Sequence, residues 1–206
     1  MTESHLNLQE WFGGIDIYLF DQLLKDNFSS DMKVLDAGCG SGRNLIYFLK
    51  SGYDICGVDQ SSESIANVRS LATRLAPELP HDNFRTEPVE QMSFPDEGFE
   101  AVISSAVLHF ARDEAHWHSM VREMWRVLKP GGIFFARLAS EIGIADQLQR
   151  IEGRRYHLPD GSDRFLVDET ILMDTTRSLG ADWLEQPKTV LVHHRRSMTN
   201  WCLRKT

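Results

Sequence analysis

The chain has 206 residues, of which 42% are hydrophobic and 25% charged, and its formal net charge is −8 at pH 7. That length suits one large α/β domain with a sizeable core, and the composition is ordinary for a soluble globular protein. An acidic balance without a Lys/Arg run excludes a general binder of nucleic acid or anionic membrane, because neutralising phosphates takes a basic face. No apolar stretch approaches the roughly 18 residues that cross a bilayer, and Met1 to Leu6 lack the basic start and apolar core of a secretory signal. Cys39, Cys56 and Cys202 lie far apart with no C-x-x-C pair, so neither a disulfide framework nor a zinc site is suggested. The expectation is a reduced, cytoplasmic protein without a metal, and without a nucleic-acid or membrane partner.

From Leu8 to Phe28 the chain is rich in aromatics, and apolar residues at near-helical spacing predict a helix from about Asp16 to Lys25. The apolar pair Val34-Leu35 then ends in Asp36, and Gly38, Gly40 and Gly42 follow at alternate positions before a predicted helix, Asn44 to Lys50. Strand, glycine turn and helix open a nucleotide-binding α/β domain: the turn lets a ligand approach the backbone, and N–H groups at the helix start suit polar ligand groups. A dinucleotide fingerprint, G-x-G-x-x-G, needs a glycine where this chain has Arg43. The pattern Asp36-x-Gly38-x-Gly40-x-Gly42 instead resembles motif I of class I S-adenosylmethionine (SAM)-dependent methyltransferases.

Tyr53 to Asp59 reads as a second strand ending in an acid, about 20 residues beyond the turn, where a carboxylate accepts ribose hydroxyls. Ser61 or Ser62 caps a predicted helix from about Glu63 to Leu75, ended by Pro77 and Pro80. Asn83 to Glu87 is a short third strand. Pro88 to Phe99 resembles the family segment that reads adenine, but Pro88 stands where an Asp is usual, leaving the Val89 N–H with Glu87 or Glu90. Phe99 to Ser105 is a fourth strand, and Leu108-His109 after it is close to the family pattern. A helix from roughly Glu114 to Leu128 carries His116 and His118, which are two apart, cannot chelate one metal, and read as surface residues. Val127-Leu128-Lys129-Pro130-Gly131-Gly132 also resembles the family, stopping the helix and launching a fifth strand, Ile133 to Ala136.

The stretch between Arg137 and Leu166 reads as irregular and partly basic, with Arg137, Arg150, Arg154, Arg155, Tyr156, His157 and Arg164, and a turn at Pro159-Asp160-Gly161. A helix from about Asp168 to Leu179 follows. Trp183 to His193 and Met198 to Leu203 read as an antiparallel pair, with His193 and His194 on opposite faces and no bis-histidine metal site. His194-Arg195 is similar to a pair near the acceptor in the tellurite-resistance group, which with the thiopurine methyltransferases this chain partly resembles.

The resemblance implies an α/β, three-layer Rossmann-like sandwich with a seven-stranded mixed sheet, mostly parallel with one antiparallel strand. Residues 1–206 form a single domain, with a helical lid over 1–30 and an acceptor-side cap over 138–166. Trp11, Phe12 or Tyr18 in the lid offer faces to a cationic sulfonium. SAM is the expected cofactor and S-adenosylhomocysteine its product. The expected cofactor residues are Asp36, Gly38, Cys39, Gly40 and Gly42 at the methionine part, Asp59 and Gln60 at the ribose, Val89 and Glu90 at the adenine, and Ser104 and His109 near the sulfonium. The expected reaction is in-line methyl transfer to a small molecule. A catalytic base is left unassigned, with His109, His157 and His194 as candidates. The alternatives are a macromolecular methyltransferase, a non-catalytic SAM-binding protein and, disfavoured by Arg43, an NAD-dependent oxidoreductase. A monomer or homodimer is expected.

Overall fold

The computed structural model describes residues 7–206. Five strands in chain order build the parallel part of a sheet: β1 (Lys33–Ala37), β2 (Asp54–Asp59), β3 (Phe84–Thr86), β4 (Phe99–Ser105) and β5 (Leu128–Ser140). A separate three-stranded sheet follows, β6 (Gln149–Glu152), β7 (Arg155–His157) and β8 (Asp163–Phe165). The chain then returns to the main sheet through β9 (Ala181–Trp183), β10 (Lys188–Val192) and β11 (Arg196–Lys205). The spatial order is β10-β11-β5-β4-β1-β2-β3, with β9 also paired to β11. β11 runs antiparallel to β5, β9 and β10, so one strand is reversed in an otherwise parallel sheet. Pro187 separates β9 from β10; proline has no N–H to give a ladder, and the edge strand is interrupted there.

A parallel sheet must be covered on both faces. On one face, α5 (Glu114–Val127) and α6 (Glu169–Ser178) bury Trp117, Met120, Met124 and Leu172 against Leu35, Val102 and Trp201. On the other lie α2 (Ile17–Leu24), α3 (Ile46–Lys50) and α4 (Ser62–Leu75), which bury Leu19, Phe48 and Val68 against Val34, Ile55 and Ile103. The short α1 (Leu8–Phe12) lies outside α3, where Phe12 stacks on Tyr47 at 5.1 Å. Gly132 shows why the turn into β5 takes glycine: a Cβ would come within 2.8 Å of the Lys129 carbonyl and 2.9 Å of that of Glu100.

Three expectations need correction. The helix after the glycine turn begins at Ile46 rather than Asn44, because residues 41–45 form turns and Asn44 Oδ1 accepts the Asp16 N–H at 2.9 Å. The stretch after Arg137 is not irregular: β5 continues to Ser140, and β6-β7-β8 form a meander covering Leu158, Leu166 and Ala139. His193 and His194 do not lie on a strand. They form the β10–β11 turn with φ of 51° and 54°. Of the N-terminal lid segment, residues 1–6 lie outside the described residues. No helix among the described residues is long and apolar enough to cross a membrane.

Candidate cofactor and acceptor site

The sheet order reverses between β1 and β4, and ligands of open α/β sheets bind outside the carboxyl ends of the strands at such a point. There the chain leaves β1 through Gly38, whose φ is +84° and whose added Cβ would sit 2.4 Å from Val107. The Gly38 and Cys39 N–H groups both donate to the Val58 carbonyl, and the Gly40 N–H donates to Asp59 Oδ2 at 2.9 Å. Asp59 Oδ1 accepts the Ser61 N–H at 2.9 Å. Each Asp59 oxygen therefore holds one backbone donor and keeps acceptor capacity for a ligand hydroxyl.

Beneath this turn, Asp36 is 1% exposed and neither carboxylate oxygen has a hydrogen-bond partner. Burial pushes its pKa up to about 7; Arg43 opposes the rise and Asp59 adds to it. A carboxylate held this way is stabilised by any cation that arrives at the turn.

Three cavities meet above it. One of about 590 Å³ follows the turn from Gly38 to Asn44 and reaches Arg74 and Ser105. A second, of about 480 Å³, lies between Asp59-Gln60, Pro88-Val89-Glu90 and Phe110. A third, of about 240 Å³, is walled by Arg43, His109, Arg137, Asp160, Arg164 and Arg196. Ala106 lines all three. Its φ is +65°, a strained region for a non-glycine residue, and its N–H is fixed on the Arg137 carbonyl at 2.8 Å.

Residues 35–136 match the family described as a methyltransferase domain. The chain belongs to the class I SAM-dependent methyltransferases. It is 32% identical over 117 residues to an uncharacterized methyltransferase of Synechocystis sp., across 56% of this chain and 51% of that one. It is 30% identical over 129 residues to an arsenite methyltransferase of Aquipseudomonas alcaligenes, across 58% of this chain and 36% of the other. The match thus spans about half the length of the first relative and little over a third of the second. A solved structure of Burkholderia thailandensis 1,6-didemethyltoxoflavin-N1-methyltransferase superposes with a TM-score of 0.70 at 20% identity, covering 95% of this chain and 80% of that one. At that identity the likeness speaks for the fold alone.

In this domain the expected cofactor residues fall into distinct places. Gly38 and Gly40 line the first two cavities, Cys39 and Gly42 the first, and Asp59, Gln60, Val89 and Glu90 the second. His109 lies in the third. Asp36 lines none of the three and is buried. Ser104 is fully buried with Oγ unpartnered and lines none; strand alternation turns its neighbour Ser105 to the crevice instead. Of the candidate bases, His109 alone lines one of these three cavities. His157 is exposed and bonded to Asp163 at 2.8 Å, and His194 sits in the β10–β11 turn.

His116, expected at the surface, is half-buried and lines the second cavity. Its Nδ1 accepts the Arg112 N–H, so its Nε2–H faces Glu90 Oε1 at 3.0 Å. Asp113 caps α5 by accepting the His116 backbone N–H, which places that residue in the first helical turn. Phe110, Arg112 and Met120 complete the same cavity and carried no motif.

The N-terminal segment is anchored rather than loose. Asp16, 2% exposed, accepts from Arg137 Nη1 at 2.6 Å and lies 3.7 Å from Arg43 Nη2. Tyr18 packs under the Arg137 guanidinium at 5.1 Å. Phe12 is taken up by Tyr47 and Trp11 by the Lys50 ammonium, and neither lines the three cavities.

His109 Nδ1 accepts the Ala139 N–H at 3.3 Å, which assigns the ring proton to Nε2. Burial, then the charges of Arg164, Arg196 and Arg137, push its pKa down to about 3. It is a neutral hydrogen-bond donor and a poor base. Burial would raise the Asp160 pKa, but Ser162's hydroxyl and amide with Arg196 and Arg164 hold it below the usual carboxylate range. Among the described residues there is no group of three or more His, Cys, Asp or Glu placed to hold a metal ion.

Proposed function

We propose that the protein transfers the methyl group of SAM to a small-molecule acceptor. The observation that carries this reading is the meeting of three cavities at Ala106, two built from motif I and the strand-end acid and one from separate side chains. The residues fit the cofactor. An unpartnered Asp36 beneath the turn suits the ammonium of its methionine part, the turn from Gly38 to Gly42 with Arg43 lines that part's channel, and Asp59 has acceptor capacity for the ribose. Val89 and Glu90, the latter held by His116, border the adenine side, and Pro88 lies beside them where the family's Asp would be.

When bound, SAM supplies a methyl group on a sulfonium, which carries its own good leaving group. The chain's task is then alignment and exclusion of water, which together supply most of the acceleration in such displacements. The third cavity offers no strong base, since His109 donates through Nε2–H and Asp160 is a weak proton acceptor. A small acceptor is supported by that cavity's about 240 Å³, below the roughly 300–1,000 Å³ of pockets that take drug-sized ligands. Of the lid over 1–30, the described part is tied down through Asp16, and 138–166 serves as the acceptor-side cap, which contributes Leu158, Asp160, Ser162 and Arg164.

The test is incubation with methyl-labelled SAM and a panel of thiols, phenols, amines and small acids. Acceptor-dependent formation of S-adenosylhomocysteine with label in a small product is expected. Tight SAM binding with no turnover on any acceptor would instead favour a non-catalytic SAM-binding protein.

A further inference from the structure

The third cavity has a charge opposite to that of the protein. Four arginines, Arg43, Arg137, Arg164 and Arg196, line it with a single carboxylate, Asp160. Behind the wall, Asp16 neutralises one further charge through Arg137 and Arg43. That leaves an excess of two positive charges around about 240 Å³ in a chain of formal charge −8.

The arginines are not equivalent. Arg137 is ion-paired with Asp16 at 2.6 Å, and Arg43 bonds Ser105 Oγ at 3.2 Å. Among the described residues, Arg164 and Arg196 form no ion pair. Arg164 is steadied by the Asp163 carbonyl at 2.7 Å and by the Phe110 ring at 4.8 Å. It enters from β8 and Arg196 from the start of β11, so they face the cavity from different elements. His109 adds an Nε2–H donor, its other nitrogen being fixed on Ala139. Two guanidinium forks and one N–H donor around a small polar cavity match the acceptor geometry of a carboxylate.

We propose that this cavity is an anion site: the methyl acceptor carries a carboxylate, clamped by Arg164 and Arg196 and hydrogen-bonded by His109 Nε2–H. The proposal rests on the reading of the chain as a SAM-dependent methyltransferase, but it concerns residues outside the cofactor cavities. Asp160 is the one carboxylate in the wall and opposes an incoming anion, so the clamp depends on the arginines outnumbering it.

The test uses acetate, benzoate and succinate against their amides, with inorganic phosphate as a further arm. Binding is read from the His109 imidazole resonances in the presence of saturating S-adenosylhomocysteine. A carboxylate should bind saturably and raise the His109 pKa, while the matching amide binds at least about ten-fold more weakly. Arg164→Gln and Arg196→Gln should each weaken carboxylate binding about ten-fold, with S-adenosylhomocysteine affinity as the control for folding. Equal binding of acid and amide, tighter binding of phosphate than of any carboxylate, or no carboxylate binding by protein that binds S-adenosylhomocysteine overturns the proposal and leaves the methyltransferase reading standing. Carboxylate binding by protein that does not bind S-adenosylhomocysteine upholds the anion site and sinks the cofactor reading instead.

Discussion

Asp36→Asn should make the protein more stable and a worse cofactor binder, and the gain should depend on pH. The carboxylate is 1% exposed, has no hydrogen-bond partner, and titrates at about 7 against an ordinary 3.8. Between those values the unfolded chain has released the proton while the folded chain still holds it. The folded state binds more protons in that window, so stability falls as pH rises from about 4 to 7, and the whole cost is present above 7. A shift of about three units at 1.36 kcal/mol each sets a ceiling of about 4 kcal/mol. Asn has the same shape and no charge. It should match the parent only at about pH 4 and below, where Asp36 is protonated in both states, and exceed it increasingly up to about pH 7. Urea denaturation of both proteins at pH 5, 6.5 and 8 measures the gap, and contributions from other titrating groups cancel in the difference. Calorimetry with S-adenosylhomocysteine should show weaker binding by Asp36→Asn. A stability gap that does not change with pH would refute the reasoning.

Other outcomes follow from the same geometry. His109 has the opposite sign: its folded pKa is about 3 against 6.5, so stability is lost as pH falls below 6.5 and the unfolded chain takes up the proton alone. His109→Gln should therefore lose about 3 kcal/mol less than the parent between pH 7 and 4.5, measured by denaturation. Ala106→Gly should relieve strain and stabilise by about 1 kcal/mol, whereas Ala106→Val, with a branched Cβ at φ +65° where the three cavities meet, should cost about 1–3 kcal/mol and abolish turnover. Trp201, 0% exposed and stacked on Trp117 at 5.8 Å, should cost about 3–5 kcal/mol as Trp201→Ala in thermal or urea unfolding.

The cofactor side was legible because its chemistry is local. Asp36, the glycines and Asp59 act through spacing along two adjacent strands, and β1 and β2 pair in the register that brings Asp59 to the Gly40 N–H. The reversed strand was legible for a similar reason, since β10 and β11 are joined by a short turn. The acceptor side was not. Its arginines arrive from the glycine turn, β5, β8 and β11, and only tertiary packing joins them. β4 is buried on both faces, so no polar alternation marks which of Ser104 and Ser105 meets the crevice. The place of His116 depends on Glu90, which lies 26 residues away in the chain. The meander at 149–165 was masked by charge, although Gly153 and Pro159-Asp160-Gly161 mark its two turns.

The most direct test of the account is calorimetric titration of the parent and Asp59→Asn proteins with SAM, S-adenosylhomocysteine and NAD. The parent should bind both adenosyl compounds with about micromolar affinity and ignore NAD, and Asp59→Asn should bind them at least about ten-fold more weakly. Binding of NAD in place of SAM, or an adenosyl affinity indifferent to Asp59, would contradict it.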